Sequence, residues 1–79
     1  MVKFAAREFQ RETGRLLRRE RQYEGLSQET LAKKIGIGRS VLANIESGRQ
    51  RIPVDVLWRA GVVLKLDVSA FLPESQRTK

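Results

Sequence analysis

The sequence predicts an all-α fold, a compact domain of five helices, and three observations support this class. Apolar residues recur at helical spacing in successive segments of the chain. Glycine, proline and small polar residues separate those segments where helices are expected to begin and end. The 79 residues contain no internal repeat, linker or low-complexity tract, so the helices are expected to form one domain.

Residues 1–12 are predicted to be either an N-terminal arm or an extension of the first helix. From about Glu8 to Tyr23 the spacing of apolar and polar residues is typical of a surface helix. Gly14 disfavours a continuous helix, because glycine costs about 1 kcal/mol relative to alanine inside a helix. A helix that starts near Thr13, with Thr13 as its N-cap, is therefore an alternative.

The middle of the chain is predicted to form two helices joined by a short turn that contains glycine. Ser27 stands at the N-cap of the second helix, Gln28 to Ile35, and Gly36 ends it in a left-handed conformation. Gly38 then precedes a third helix that runs to about Ser47. Because the turn is so short, the two helices must cross steeply, as they do in a helix-turn-helix.

Two further helices are predicted after a basic loop. Pro53 suits the first turn of a fourth helix, since its missing N–H would be unpaired there. Asp67 or Ser69 is expected to cap a short fifth helix that ends before Pro73. Residues 73–79 are polar and are expected to form a flexible tail.

The fourth helix carries apolar residues on two faces. Leu57 and Leu64 belong to one face, and Val56 and Val63 belong to a second face at the same helical spacing. A surface helix of a monomer rarely needs both, so the sequence predicts a homodimer. The expected interface consists of Val56, Val63 and Leu66. Trp58 is assigned to packing, together with a core formed by Leu17, Leu26, Leu31, Ile35, Leu42, Ile45, Leu57, Leu64 and Phe71.

The composition favours a binding function. Sixteen Lys and Arg against nine Asp and Glu give a net charge of +7, which suits an anionic partner such as nucleic acid or anionic lipid. The absence of Cys and His removes disulfides, the common zinc sites and the usual nucleophile and general base. No cofactor is expected, and an enzyme lacks any constellation of acids or metal ligands. No apolar run reaches the roughly 18 residues of a membrane span, so a cytoplasmic protein is expected.

The beginning of the third helix carries side chains that are able to read DNA bases. Arg39 can donate two hydrogen bonds to O6 and N7 of guanine, although a phosphate contact is the alternative. Asn44 can bond adenine through its amide, or can bond locally within the helix. Ala43 is small enough to allow close approach to a thymine methyl. The predicted base-contacting residues are Arg39, Ser40, Ala43 and Asn44.

The segment GLSQETLAKKIGIGRS, together with the later element IESG, resembles the Cro/repressor-type helix-turn-helix regulators of phages and bacteria. The resemblance covers about residues 13–72 and implies a lambda-repressor-like DNA-binding domain. It also implies that the third helix enters the major groove by its N-terminal end. Val41 departs from the family, where a small hydroxyl residue is commoner, and it is expected either to meet a thymine methyl or to pack on the second helix.

The resemblance also implies roles outside the third helix. Gln28 is expected to hold a phosphate, and free N–H groups at a helix N-terminus suit phosphate oxygens independently of the family. The expected phosphate contacts are Gln28, Ser47, Arg49 and Arg51, of which the last two could instead form a solvated basic loop. Arg21 and Glu46 are expected to form a partly buried salt bridge between the first and third helices.

These residues together predict a sequence-specific regulator of transcription, a repressor in the simplest case, that binds double-stranded DNA. One such helix reads few base pairs, so a homodimer on an inverted-repeat operator is expected. The alternative is an antitoxin-type module, which binds a protein toxin as well as operator DNA. Co-purification of a protein partner would distinguish the second class from the first.

Overall fold

The computed structural model describes residues 6–73, which form four α-helices and one 3₁₀ helix, with no strand in that range. The elements are α1 (Ala6–Tyr23), α2 (Gln28–Ile35), α3 (Arg39–Glu46), α4 (Val54–Leu64) and a 3₁₀ helix (Val68–Phe71). Residues 1–5 of the predicted arm and residues 74–79 of the predicted tail lie outside the described residues.

The helix α1 is longer than either predicted boundary, because it begins at Ala6 and continues through Gly14. Thr13 is therefore not an N-cap but a buried residue within the helix. A Cβ added at Gly14 would overlap the carbonyl oxygen of Ile45, near the end of α3. The glycine thus allows the backbones of α1 and α3 to touch, which compensates for its low helix propensity.

Both ends of α2 are closed by the residues that the sequence indicates. The hydroxyl of Ser27 accepts a hydrogen bond from the N–H of Thr30 at 3.0 Å, which satisfies one donor of the first turn. Gly36, with φ 79°, ends α2 in the left-handed region, and its N–H bonds back to carbonyls of the last turn. Ile37 is half-buried and packs against the core between Gly36 and Gly38, after which α3 begins.

Arg59 joins α4 to the end of α2, a role that the sequence analysis missed. Its Nη1 donates a hydrogen bond to the carbonyl oxygen of Ile35 at 2.7 Å, and its Nη2 donates to Asp55 at 2.9 Å. The last carbonyls of a helix have no partner within it. Arg59 therefore satisfies one of these acceptors and holds α4 against the helix-turn-helix.

The core consists of buried residues from all five elements: Leu17, Leu31, Ala32, Ile35, Leu42, Ile45, Val56, Leu57, Ala60, Leu64 and Phe71. Leu26 is half-buried at its edge. The predicted count of five α-helices is wrong by one, because the last element is a 3₁₀ helix of four residues. Pro73 follows closely, and segments this short commonly take the 3₁₀ form.

The two apolar faces predicted for α4 are buried in the same core. Val56 is 5% exposed and cannot form the predicted dimer interface, because α4 packs against both α2 and the 3₁₀ helix. Val63 and Leu66 are half-buried and pack against the core. Trp58, which the sequence assigns to packing, is 62% exposed. The free apolar surface of α4 therefore lies between the two predicted faces.

Candidate nucleic-acid interface

The outer side of α3 presents the residues predicted to contact bases. Arg39 and Ser40 are exposed, while Ala43 and Asn44 are half-buried. The opposite side of α3 is buried against α1 and α2. Val41 is half-buried and packs against the core, so packing is the role that the structure shows for it.

A cleft of about 870 Å³ lies between α1, the beginning of α2 and α3, and we call it the α2–α3 cleft. Its lining consists of Arg18, Arg21, Ser27, Gln28, Glu29, Arg39, Ala43, Glu46 and Ser47. The cleft brings the predicted base-contacting residues Arg39 and Ala43 together with the predicted phosphate-contacting residues Gln28 and Ser47. Two predicted base-contacting residues, Ser40 and Asn44, are not part of its lining.

Arg18 is a residue of the cleft that the sequence analysis did not identify. It is exposed on α1 and lies three residues before Arg21, which lines the same cleft. Residues three apart share one face of a helix. The position of Arg21 relative to α3 was therefore the signal that could have revealed Arg18.

A buried salt bridge forms the floor of the cleft. Nε and Nη2 of Arg21 donate to the two carboxylate oxygens of Glu46 at 2.7 and 3.0 Å, and these side chains are only 9% and 2% exposed. Nη1 of Arg21 donates to the carbonyl oxygen of Leu26 at 2.7 Å. A buried ion pair needs such additional hydrogen bonds to offset the loss of hydration. The pair fixes α3 relative to α1.

Gln28 directs its side-chain amide toward the protein. Its Nε2 donates a hydrogen bond to Oε1 of Glu46 at 3.0 Å. As the first residue of α2, Gln28 also has a backbone N–H without a partner inside the helix. The N-terminus of α2, with its partial positive charge, therefore faces the cleft next to a fixed side chain.

The loop after α3 is held against α1. Ser47, Arg49 and Arg51 are exposed, and Gly48 between them adopts φ 83°. Nε2 of Gln10 donates a hydrogen bond to the carbonyl oxygen of Gly48 at 2.8 Å. The loop is thus anchored to the first helix, and its two arginines lie at the surface.

A row of exposed apolar side chains runs along α4 on another part of the surface. It comprises Val54, Trp58 and Val62, which follow one another at intervals of four residues, and we call it the α4 stripe. A groove of about 350 Å³ adjoins it and is lined in part by Leu66 and Val68. Residues 6–73 thus contain one apolar surface and one polar cleft on separate elements.

Neither a metal centre nor a membrane span is found in the described part of the chain. Residues 6–73 contain no group of three His, Cys, Asp or Glu side chains that could hold a metal ion. No helix among them has both the length and the apolar character needed to cross a membrane.

The comparison with protein families identifies the fold. Residues 12–71 match the family described as helix-turn-helix domain. The chain belongs to the Cro/repressor-type helix-turn-helix family. This result confirms the resemblance seen in the sequence, and it identifies α2 and α3 as the two helices of the helix-turn-helix. A comparison with curated proteins gave no match.

Solved structures of helix-turn-helix proteins are similar to this domain. The restriction-modification controller protein C.AhdI from Aeromonas hydrophila has a TM-score of 0.74 and 30% identity, over 77% of this chain and 92% of that chain. A chain of the complex between the SinR and SinI proteins has a TM-score of 0.73 and 31% identity, over 81% of this chain and 63% of that chain.

A longer neighbour is the helix-turn-helix transcriptional regulator from Vibrio cholerae. It has a TM-score of 0.78 and 27% identity, over 85% of this chain and 38% of that chain. The helix-turn-helix domain described here therefore corresponds to less than half of that regulator. The family and these neighbours are DNA-binding regulators, not enzymes.

Proposed function

We propose that this protein is a sequence-specific regulator of transcription that binds double-stranded DNA with α3 in the major groove. The observation that carries the proposal is the α2–α3 cleft, where Arg39 and Ala43 lie beside Gln28 at the N-terminus of α2. Base readout needs side chains that reach base edges, and positioning needs donors for phosphate oxygens. The cleft offers both kinds of group side by side.

In this proposal Arg39 reads guanine from the first turn of α3. It is exposed, and no carboxylate of residues 6–73 forms an ion pair with it. Ala43, one turn later, allows the backbone of α3 to approach the bases closely. Ser40 and Asn44 contact bases from the part of α3 outside the cleft.

Phosphate contacts come from the two edges of the helix-turn-helix. The side-chain amide of Gln28 is held by Glu46, so the phosphate is proposed to bind chiefly the free backbone N–H of Gln28. Ser47, Arg49 and Arg51 bind the backbone from the loop after α3. These contacts set affinity and register, since phosphates carry no sequence information.

A homodimer is proposed to form through the α4 stripe, with Val63 and Leu66 beside it. Trp58 is large, apolar and exposed at the centre of the stripe, and such residues are often the anchors of protein interfaces. A twofold dimer would present two α3 helices to successive half-sites of an inverted repeat. Repression is the simplest mode of action, because an occupied operator excludes other proteins from the same DNA.

Selection of binding sites from random duplexes tests the function. An inverted repeat should be recovered, and Arg39→Ala should lose about 1–3 kcal/mol of binding free energy and relax the preference at one position per half-site. Lys34→Ala removes one exposed positive charge outside the cleft and serves as the control. A uniform loss over all sequences would make Arg39 a phosphate contact, and recovery of no preferred site would contradict the proposal.

An antitoxin-type module is the second candidate, and the exposed α4 stripe is the observation that favours it. The stripe suits a protein toxin as well as it suits a second copy of the chain. The two candidates differ in solution: a dimer that persists in the purified protein supports the regulator, whereas a monomer that co-purifies stoichiometrically with a neighbouring gene product supports the antitoxin.

A further inference from the structure

A second basic groove lies between α1 and the loop after α3, and we call it the arginine groove. It has a volume of about 540 Å³. Arg7 and Arg11 line it from α1, and Arg49 and Arg51 line it from the loop. All four side chains are exposed. Two positively charged pairs thus face a shared space.

The two sides of the arginine groove are held in fixed relation. Gln10 donates its hydrogen bond to the carbonyl oxygen of Gly48 from the same turn of α1 that carries Arg7 and Arg11. A Cβ added at Gly48 would lie 3.0 Å from Cα of Arg11, so glycine lets the loop backbone rest on the helix. The spacing of the arginines therefore follows from backbone contacts and not from chance side-chain positions.

The positive charge of the groove is not compensated within the described part of the chain. The ion pairs among residues 6–73 involve Arg15, Arg19, Arg21 and Arg59, and none involves an arginine of the groove. The remaining lining residues, Ala6, Gln10, Ser47 and Gly48, carry no charge. Like charges held together repel one another. An anion in the groove would relieve this repulsion and gain several charge-assisted hydrogen bonds.

We propose that the arginine groove binds the sugar-phosphate backbone of the same DNA that α3 reads. Arg7 and Arg11 would then add two phosphate contacts per protomer that the helix-turn-helix itself does not supply. Ser47 lines both the arginine groove and the α2–α3 cleft, so the groove extends the proposed interface past the end of α3. This continuity favours DNA over a separate anionic partner, and the inference rests on the DNA-binding function proposed above.

The salt dependence of DNA binding tests the groove. The double variant R7Q/R11Q is compared with K33Q/K34Q, which removes the same charge from exposed residues of α2 outside both grooves. A mixed-sequence duplex of about 30 base pairs is sufficient, because phosphate contacts need no particular sequence. Circular dichroism checks that both variants are folded.

The expected result is a shallower salt dependence for R7Q/R11Q. Each lost contact lowers the slope of log K against log salt by about 0.9, so two contacts correspond to about a 12-fold smaller change in affinity per protomer between about 50 and 200 mM salt. The slope for K33Q/K34Q should match that of the wild type. Equal slopes for both variants would overturn the inference while leaving the function intact, and absence of wild-type binding to any duplex would instead contradict the function.

A positional experiment distinguishes a direct contact from a general effect of charge. The chain has no cysteine, so Arg11→Cys offers a single attachment point for an iron chelate that cleaves nearby DNA. Cleavage from position 11 and none from Lys34→Cys would support the groove. Cleavage from neither position would overturn it. Loss of binding by R7Q/R11Q to phosphatidylserine vesicles, with unchanged binding to DNA, would also overturn it and assign the groove to lipid.

Discussion

Gln28 and Arg21 donate hydrogen bonds to the same oxygen of Glu46, each at 3.0 Å. Three elements therefore meet at one carboxylate: the end of α1, the beginning of α2 and the last residue of α3. Because Gln28 and Glu46 both line the α2–α3 cleft, the hydrogen bonds that stabilise the fold also fix the shape of the proposed DNA-binding surface.

Glu46→Gln should destabilise the protein by about 3–5 kcal/mol, because it leaves the guanidinium of Arg21 buried without its counterion. Urea denaturation monitored by circular dichroism would measure the change. Glu12→Gln is the matched control, since it breaks the ion pair with Arg15 on the surface of α1, where little change is expected. Similar small losses for both variants would mean that the Arg21–Glu46 pair contributes no more than a surface pair.

Gly14→Ala should destabilise the protein by about 1–3 kcal/mol, although alanine favours helices more than glycine does. The added methyl group would overlap the carbonyl oxygen of Ile45 and push α1 away from α3. Gln22→Ala, at an exposed position of the same helix, reports the effect of alanine without the clash. Thermal unfolding of the two variants compares them directly, and an increase in melting temperature for Gly14→Ala would contradict the close contact.

Trp58→Ala should weaken the proposed dimer, because it removes the largest exposed apolar side chain of the α4 stripe. Sedimentation velocity at tens of micromolar should shift from a dimeric to a monomeric mass, while the melting behaviour of the monomer changes little. Tyr23→Ala is the control, since Tyr23 is an aromatic residue that is 84% exposed at the end of α1. Dissociation of both variants, or of neither, would exclude α4 as the interface.

Asp67 should make a pH-dependent contribution to stability. Hydrogen bonds from the backbone N–H and the hydroxyl of Ser69 lower the pKa of Asp67 below its ordinary value of 3.8. A lowered pKa means that the stabilisation is present above the ordinary value and is lost as the pH falls through the pKa of the folded state. Asp67→Ala should therefore be less stable than the wild type near neutral pH, and the difference should narrow below about pH 4. A difference that stays constant down to about pH 2 would exclude this cap as its cause.

The local signals in the sequence were reliable because they depend on neighbouring residues. Ser27 and Gly36 bound α2 as expected, since a capping hydroxyl and a left-handed glycine act on their own turn of helix. The resemblance supplied the pairing of Arg21 with Glu46, which are too far apart in sequence for spacing to reveal. The last helix was predicted as an α-helix because its cap is visible, whereas its 3₁₀ form depends on how little chain lies between Asp67 and Pro73.

Helical periodicity alone was insufficient for α4. It identified Val56 and Leu57 as apolar but could not show that one wide core, shared with α2 and the 3₁₀ helix, covers both. For the same reason it could not show that Trp58 remains exposed. Periodicity gives the angle of a side chain around its helix, and burial also depends on which helices pack beside it.

The sequence by itself determined the class of protein, the four α-helical segments and the residues of α3 that face outward, because caps, turns and composition act locally. Only the tertiary structure decided what those segments bring together. Arg18 joined Arg39 at one cleft and Arg7 joined Arg49 at another, since residues distant in the chain become neighbours only when α1 packs across α3. That crossing in turn requires the contact between Gly14 and the end of α3.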